Sequence, residues 1–321
     1  MEELKIKFEE ELNYCPPVLG HLSSIGENEF SYRYYKFRHP AGIFSLQLNN
    51  IIDDFLDLLS SLEQMQNKKI NVDERNINKK FVRLISSFFK YYESCYEIFV
   101  GCCKQHDPPR ESEPLHQWLY KNNYDVGQKF FDKVKDDTGY FRTLNNKLKH
   151  TSNDLRIFCF YNNHMKIMGY YLESVDDNGS LGPDEELHPR FQDQHTANSF
   201  NFILRQLYYC IYEIANILDS VLIQHFREVY SINLSYNSEF TKLLDCNTLR
   251  NLNEKINNLP EFYFPNEFNR EIPIPYLDDG YLIFEIEDSI SLDLIGFKVG
   301  FVTSGDGFSR SFRLPFLIMR E

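Results

Sequence analysis

The amino-acid sequence predicts a mainly α-helical protein: a bundle of long helices with a β-hairpin insertion and a small mixed α/β C-terminal region. Three stretches space apolar residues alternately three and four apart, which makes one stripe along a helix. They run Phe44, Leu48, Ile51, Phe55, Leu58, Leu62, Met65, then from Phe81 to Cys102, then from Phe200 to Val221. Two shorter stretches alternate apolar and polar residues about a turn sequence, as paired strands do. In a chain of 321 residues, 42% hydrophobic and 25% charged, this describes a folded globular protein and excludes collagen-like, mucin-like and wholly disordered classes.

Residues 1–40 read as an irregular N-terminal segment, because Pro16-Pro17, Gly20 and Gly26 break any long element; one short strand fits around Leu4–Phe8. Residues 41–230 hold the bundle. Its second long helix is stopped by Pro108-Pro109, and Leu115–Asn122 suits a short helix. Asp125–Asp137 and Tyr140–Ser152 suit one helix interrupted near Thr138-Gly139, or two. The insertion, at about 155–175, has strands at Leu155–Tyr161 and Lys166–Leu172, with Asn162-Asn163 as a tight turn and Asp176–Gly182 as a loop. The last long helix begins near Thr196–Phe200, where Thr196, Asn198 and Ser199 are all good caps. In residues 231–321, short helices fit Ser238–Leu244 and Thr248–Asn258. Pro260, Pro265, Pro273 and Pro275 then punctuate an extended stretch. Strands follow at Tyr281–Glu287, Phe297–Thr303 and Phe308–Leu314, the last two joined through Ser304-Gly305-Asp306-Gly307.

Lys and Arg number 34 against 47 Asp and Glu, a net charge of −13. That balance argues against nucleic-acid binding over the whole surface and leaves room for a local basic patch. The seven cysteines are odd in number and mostly lie in apolar stretches, unlike a secreted disulfide framework. The N-terminus, MEELKIKFEEE, lacks the basic and apolar regions of a signal peptide. The most apolar run, Leu207 to Ile223, is interrupted by Glu213, Asn216 and Asp219, which are costly inside a bilayer. A cytoplasmic protein with no membrane contact is expected.

The segment from Tyr140 to His150 carries the chemistry. On a helix, Phe141, Leu144 and Leu148 form its core stripe, while Arg142, Asn146 and His150 stack four residues apart on another face. An Arg, an amide and an imidazole in one line can position a phosphate and move a proton near neutral pH. Lys147 and Lys149 add local positive charge. The same residues also make a good helix C-terminus, where cations complement the helix dipole.

This motif, late in a long-helix bundle and followed by another long helix, resembles HEPN domains. The resemblance implies a four- or five-helix bundle and a metal-independent endoribonuclease of a bacterial defence or toxin type. Such an enzyme cleaves RNA by way of its 2′-hydroxyl, without a cofactor, where the His and Arg of two protomers meet in a homodimer. On that reading His150 is the general acid/base, Arg142 stabilises the charged phosphate, Asn146 orients the substrate or the His, and Lys147 and Lys149 touch RNA. The family motif runs Arg, four to six residues, then His, often with Asn directly after the Arg. With Asn146 and His150 so placed, Asn145 stands at the Arg position, and Arg142 lies one turn earlier. Ser152 stands where some family toxins carry a modified Tyr. The alternative is a non-catalytic HEPN-like module for dimerisation or binding a protein partner, which Asn145 and the acidic charge favour.

Other clusters read as structural. Cys102, Cys103 and His106 lack the further ligands a zinc site needs, and no metal site is expected. His164, His188 and His195 match no metal spacing, and no phosphate-loop, nucleophile-elbow or dinucleotide-binding glycine pattern is present. Asp53, Asp54 and Asp57 suit a solvated face. Tyr92, Glu93, Tyr96 and Glu97 share the second long helix, where an acid could orient the Arg or His of the later one. Lys79, Lys80 and Arg83, with Lys133 and Lys135, make either an extension of an RNA stripe or scattered surface charge.

Overall fold

The computed structural model describes residues 4–7, 14–26, 30–67, 74–104, 106–150, 153–162, 165–175, 179, 181–190, 195–237, 243–261, 263–264, 266–267, 271–287, 301–303 and 309–311. Four long helices dominate: α2 (Pro40–Asn67), α3 (Glu74–Cys102), α5 (Val126–Leu148) and α6 (Phe200–His225). Around them lie the short helices α1 (Val18–Ser23), α4 (Leu115–Lys121) and α7 (Cys246–Asn257). The three apolar stripes become the cores of α2, α3 and α6: Phe44, Phe55, Phe81, Phe88, Leu204 and Leu218 are all fully buried. Pro40 occupies the first position of α2, where its missing N–H costs nothing. Ser199 caps α6 by accepting from the Phe202 N–H at 3.1 Å, and Asp245 caps α7 by accepting from Asn247 N–H. α6 runs on into a π-helical turn, Phe226–Tyr230.

α5 is a single unbroken helix, not the interrupted one allowed by Thr138-Gly139. One Gly costs roughly 1 kcal/mol of helix propensity. The packing of Phe130, Val134, Phe141 and Leu144 outweighs that cost, and the Thr138 hydroxyl is absorbed by the Val134 carbonyl at 2.7 Å.

The insertion is an antiparallel hairpin of β2 (Asp154–Asn162) and β3 (Met165–Val175), extended by β4 (Leu181–Pro183) and by β5 (Asn198–Ser199), both of which pair with β3. Leu181 and Gly182, expected in a loop, are thus strand residues. The first residue of the expected Asn162-Asn163 turn is the last of β2, and the second lies outside the described residues.

A second sheet joins the chain ends in the order β1 (Leu4–Lys7), β7 (Tyr281–Glu287), β6 (Ile272–Asp278). β6 was not foreseen as a strand because of Pro273 and Pro275. It is an edge strand, and the two prolines alternate, so their missing donors share the side away from β7. Phe284 of β7 packs on Tyr208, Tyr209 and Tyr212 of α6, which ties this sheet into the bundle. The core is continuous from Leu4 through the helices to Phe284, so the regions at either end of the bundle share its interior. β8 (Phe301–Thr303) and β9 (Ser309–Ser311) pair as the expected hairpin; their turn and most of the expected helix Ser238–Leu244 lie outside the described residues. No helix is long and apolar enough to cross a membrane among the described residues.

Candidate functional site

Residues of α3, α5 and the short helix α4 line a cavity of about 880 Å³. Its walls are aromatic: Phe89, Tyr92 and Tyr96 from α3, Tyr120 from α4, Tyr124 after it, and Phe131 from α5. Trp118 and Leu119 are buried and anchor α4, which turns His116 and Tyr120 outward to the cavity. Gly127 lets α4 come close, since a Cβ there would stand 2.9 Å from Leu119 Cδ1 and 3.6 Å from the Tyr96 ring.

The polar residues of the cavity come from the motif helix. Arg142, Asn145, Asn146 and Lys149 line it, spaced three, one and three apart, together with Glu93 of α3 and His116 of α4. The Arg142 guanidinium lies over the Phe131 ring, 5.2 Å from its centroid, a cation–π contact that holds it against the wall. The Tyr92 and Tyr96 hydroxyls are 3.0 Å apart, and the Tyr96 and His116 rings meet edge to face at 6.0 Å. Burial raises the Glu93 carboxyl pKa, and the charges of His116, Lys149 and Arg142 pull it back. The Glu93 side chain is exposed at the cavity, and its pKa stands above the ordinary carboxylate value. Burial likewise raises Tyr92, and Tyr96 and Arg142 oppose the rise.

Several cations elsewhere are neutralised, while others, Lys90 and Arg227 among them, stand without an ion pair among the described residues. Lys80 and Arg83 bind Asp57 at 2.6 Å, Arg83 also takes Asp54, and Ser87 completes the network at 2.6 Å. Asp57 is held below its ordinary pKa, first by its hydrogen bond to Lys80. This removes Lys80 and Arg83 from the expected RNA stripe, and shows Asp54 and Asp57 to be ion-pair partners where a merely solvated face was expected. Lys121 pairs with Glu113. By contrast, Arg142, Lys149, Glu93 and His116 make no salt bridge or side-chain hydrogen bond among the described residues. Two cations without an ion pair, an acid and an imidazole thus face one aromatic cavity in a chain of net charge −13.

The expected line Arg142, Asn146, His150 needs correction. α5 ends at Leu148, and the chain tightens: Lys149 N–H donates to Asn146 O at 3.2 Å and His150 N–H to Lys147 O at 3.1 Å. His150 therefore lies past the helix, exposed, and is not among the cavity's lining residues. The face toward the cavity keeps Arg142 and Asn146 and adds Asn145 and Lys149. Asn145 is only 6% exposed because it flanks the core stripe.

Lys147 points elsewhere as well. It binds Asp184 at 2.7 Å and Glu186 at 2.9 Å, in the turn after β4, so its charge serves the fold. Burial pushes the Asp184 carboxyl up, but the Lys147 ammonium and the Leu187 N–H outweigh it and hold the pKa below the ordinary value. A depressed carboxylate contributes stability above its unfolded pKa and loses it as pH falls through the folded one. Lys147→Ala is therefore expected to cost about 1–3 kcal/mol at pH 7. The deficit should close below about pH 4. Urea midpoints of both proteins at pH 7 and pH 3 check this.

Arg142, Asn146, Lys149 and Glu93, all candidates on sequence grounds, come together in this lining. His116, Tyr120 and Tyr124 join them without being sequence candidates. The available signal was the short helix 115–122, whose buried Trp118-Leu119 pair implies an outward face bearing His116 and Tyr120. Cys102 and Cys103 are buried, with thiol pKa values pushed up by burial, and His106 bonds the Tyr124 hydroxyl at 3.2 Å. Among the described residues no group of three or more His, Cys, Asp or Glu side chains comes together as a metal site. Comparison with protein-family models, curated proteins and solved structures finds no match.

Proposed function

We propose that this chain is an HEPN-like protein that acts on RNA in the cytoplasm, as a metal-independent endoribonuclease of a bacterial defence or toxin type. The α3–α4–α5 cavity is its site. One observation carries the reading: Arg142 and Lys149, held by no ion pair among the described residues, stand with Asn145 and Asn146 in a cavity walled by aromatic rings. A guanidinium fork suits a phosphodiester. The exposed ring of Tyr120 suits an unstacked base, which aromatic side chains bind in single-stranded RNA. Arg142 would hold the phosphate, with Lys149 adding charge and the two amides reading sugar or base. A homodimer belongs to the proposal only as the resemblance implies it, since this cavity is built within one chain.

The test is incubation of the purified chain with cellular RNA and tRNA in EDTA. Cleavage leaving 2′,3′-cyclic phosphate ends supports the nuclease. No cleavage by the folded protein favours the non-catalytic HEPN-like module for dimerisation or partner binding. A folded protein that neither binds nor cleaves RNA overturns the RNA reading and leaves that module.

A further inference from the structure

We infer that Glu93 and His116 are the general base and general acid of this cavity, so that a single chain carries the complete acid–base pair. The inference rests on the RNA reading of the cavity and deepens it. If RNA lies with a phosphate at Arg142, the chemistry needs one group to take the 2′-hydroxyl proton and another to protonate the 5′-oxygen. His150 cannot do either from its own chain, because it lies past the end of α5 and outside the cavity lining. His116 comes from the opposite wall, on α4, with its ring against Tyr96 and without a hydrogen-bond partner among the described residues. Glu93 comes from α3, at the lip, also unpartnered. The two therefore approach a phosphate at Arg142 from elements other than the one that holds it.

The charges divide the roles. Around the pair stand Tyr92, Tyr96 and Glu97 of α3, Lys121 of α4, and Arg142 and Lys149 of α5. Lys121 is spent on Glu113, and Glu97, one turn along the same face of α3, is half-buried and feels the Glu93 charge. Burial raises the Glu93 carboxyl pKa, and the cations Lys149 and Arg142 beside it oppose that rise, as a carboxylate placed to accept a proton requires. The 2′-oxygen then attacks phosphorus as its proton passes to the Glu93 carboxylate. The P–O5′ bond breaks as His116, protonated, gives its proton to the leaving oxygen. The products are a 2′,3′-cyclic phosphate and a free 5′-hydroxyl, with no metal, oxidant or further reactant consumed.

The experiment measures cleavage rate against pH for wild type, Glu93→Gln, His116→Ala and His150→Ala, each checked for wild-type circular dichroism. A bell-shaped wild-type profile is expected. Glu93→Gln should lose the acid limb and His116→Ala the alkaline limb, each with a fall of about 100-fold or more. Added imidazole should restore part of the His116→Ala rate, which a structural defect would not allow. Cleavage that survives His116→Ala undiminished overturns the inference. If it falls with His150→Ala instead, the imidazole is the motif's own, and the RNA reading stands without this pair. A wild type that binds no RNA and cleaves none overturns the RNA reading itself, and this inference with it.

Discussion

Arg142→Ala is expected to weaken single-stranded RNA binding about 10- to 100-fold while leaving the fold intact. A charge-assisted hydrogen bond to phosphate contributes about 1.5–3 kcal/mol. Each 1.4 kcal/mol is tenfold in affinity. The structural cost is small, because Arg142 is only half-buried and its main contact is the Phe131 ring, worth about 0.5–1 kcal/mol. Salt dependence gives a sharper readout than affinity alone. Losing one phosphate contact should flatten the slope of log affinity against log salt by about 0.7 for a single strand. Arg142→Lys should recover the slope but only part of the affinity, since an ammonium carries the charge without the planar fork. If Arg142→Ala binds RNA as wild type does, with an unchanged slope, the cavity is not the RNA site. If binding falls with Lys147→Ala instead, the opposite face of α5 is the one that matters.

That two faces of one helix must be told apart shows where the sequence was legible. The apolar stripes of α2, α3 and α6 repeat over many turns, so a helix period stands out against any local exception, and the elements fell where the spacing put them. The hairpin was legible because a strand buried on one face alternates. β6 was not, since its prolines are compatible with a strand only at an edge, and edge position is a property of the whole sheet. The site was legible in part for the same reason. Arg142 and Asn146 follow from helix periodicity, but periodicity assumes the helix continues, and α5 tightens just before His150. Which face of α5 is a cavity depends on where α4 docks. A seven-residue helix held by Trp118, Leu119 and the close approach at Gly127 leaves no long-range period to read. His116 reaches the site through that docking, so no spacing within the motif could have found it.

Glu267→Ala is expected to be the most destabilising single change considered, by about 3–5 kcal/mol, without loss of RNA binding in the folded protein. Glu267 is fully buried, and its carboxyl accepts two backbone donors: Ser199 N–H at 2.6 Å and Phe264 N–H at 2.7 Å. Removing it leaves both N–H groups buried without an acceptor, at about 1–3 kcal/mol each, and opens a void besides. The location amplifies the effect. Ser199 is the cap of α6 and pairs with Gly169 of β3, while neighbouring Asn266 holds the Ala197 carbonyl at 2.9 Å. Asn198 donates to the Tyr140 hydroxyl at 2.6 Å, which meets the Tyr170 hydroxyl at 2.8 Å, so the hairpin, α5 and α6 are all fastened at this point. Tyr140 leaves α5 on the side away from Arg142, two residues or roughly 200° round the helix. Loosening this junction therefore unfastens the back of α5 and not the cavity wall. Against a total stability of about 5–15 kcal/mol, the loss should appear as a large drop in urea midpoint at constant slope. Glu267→Gln, equal in size, should fall between wild type and alanine, because it keeps one acceptor and turns a donor toward the other N–H. A Glu267→Ala midpoint within about 1 kcal/mol of wild type would show that water replaces the carboxyl there. The cap of α6 would then stand without it.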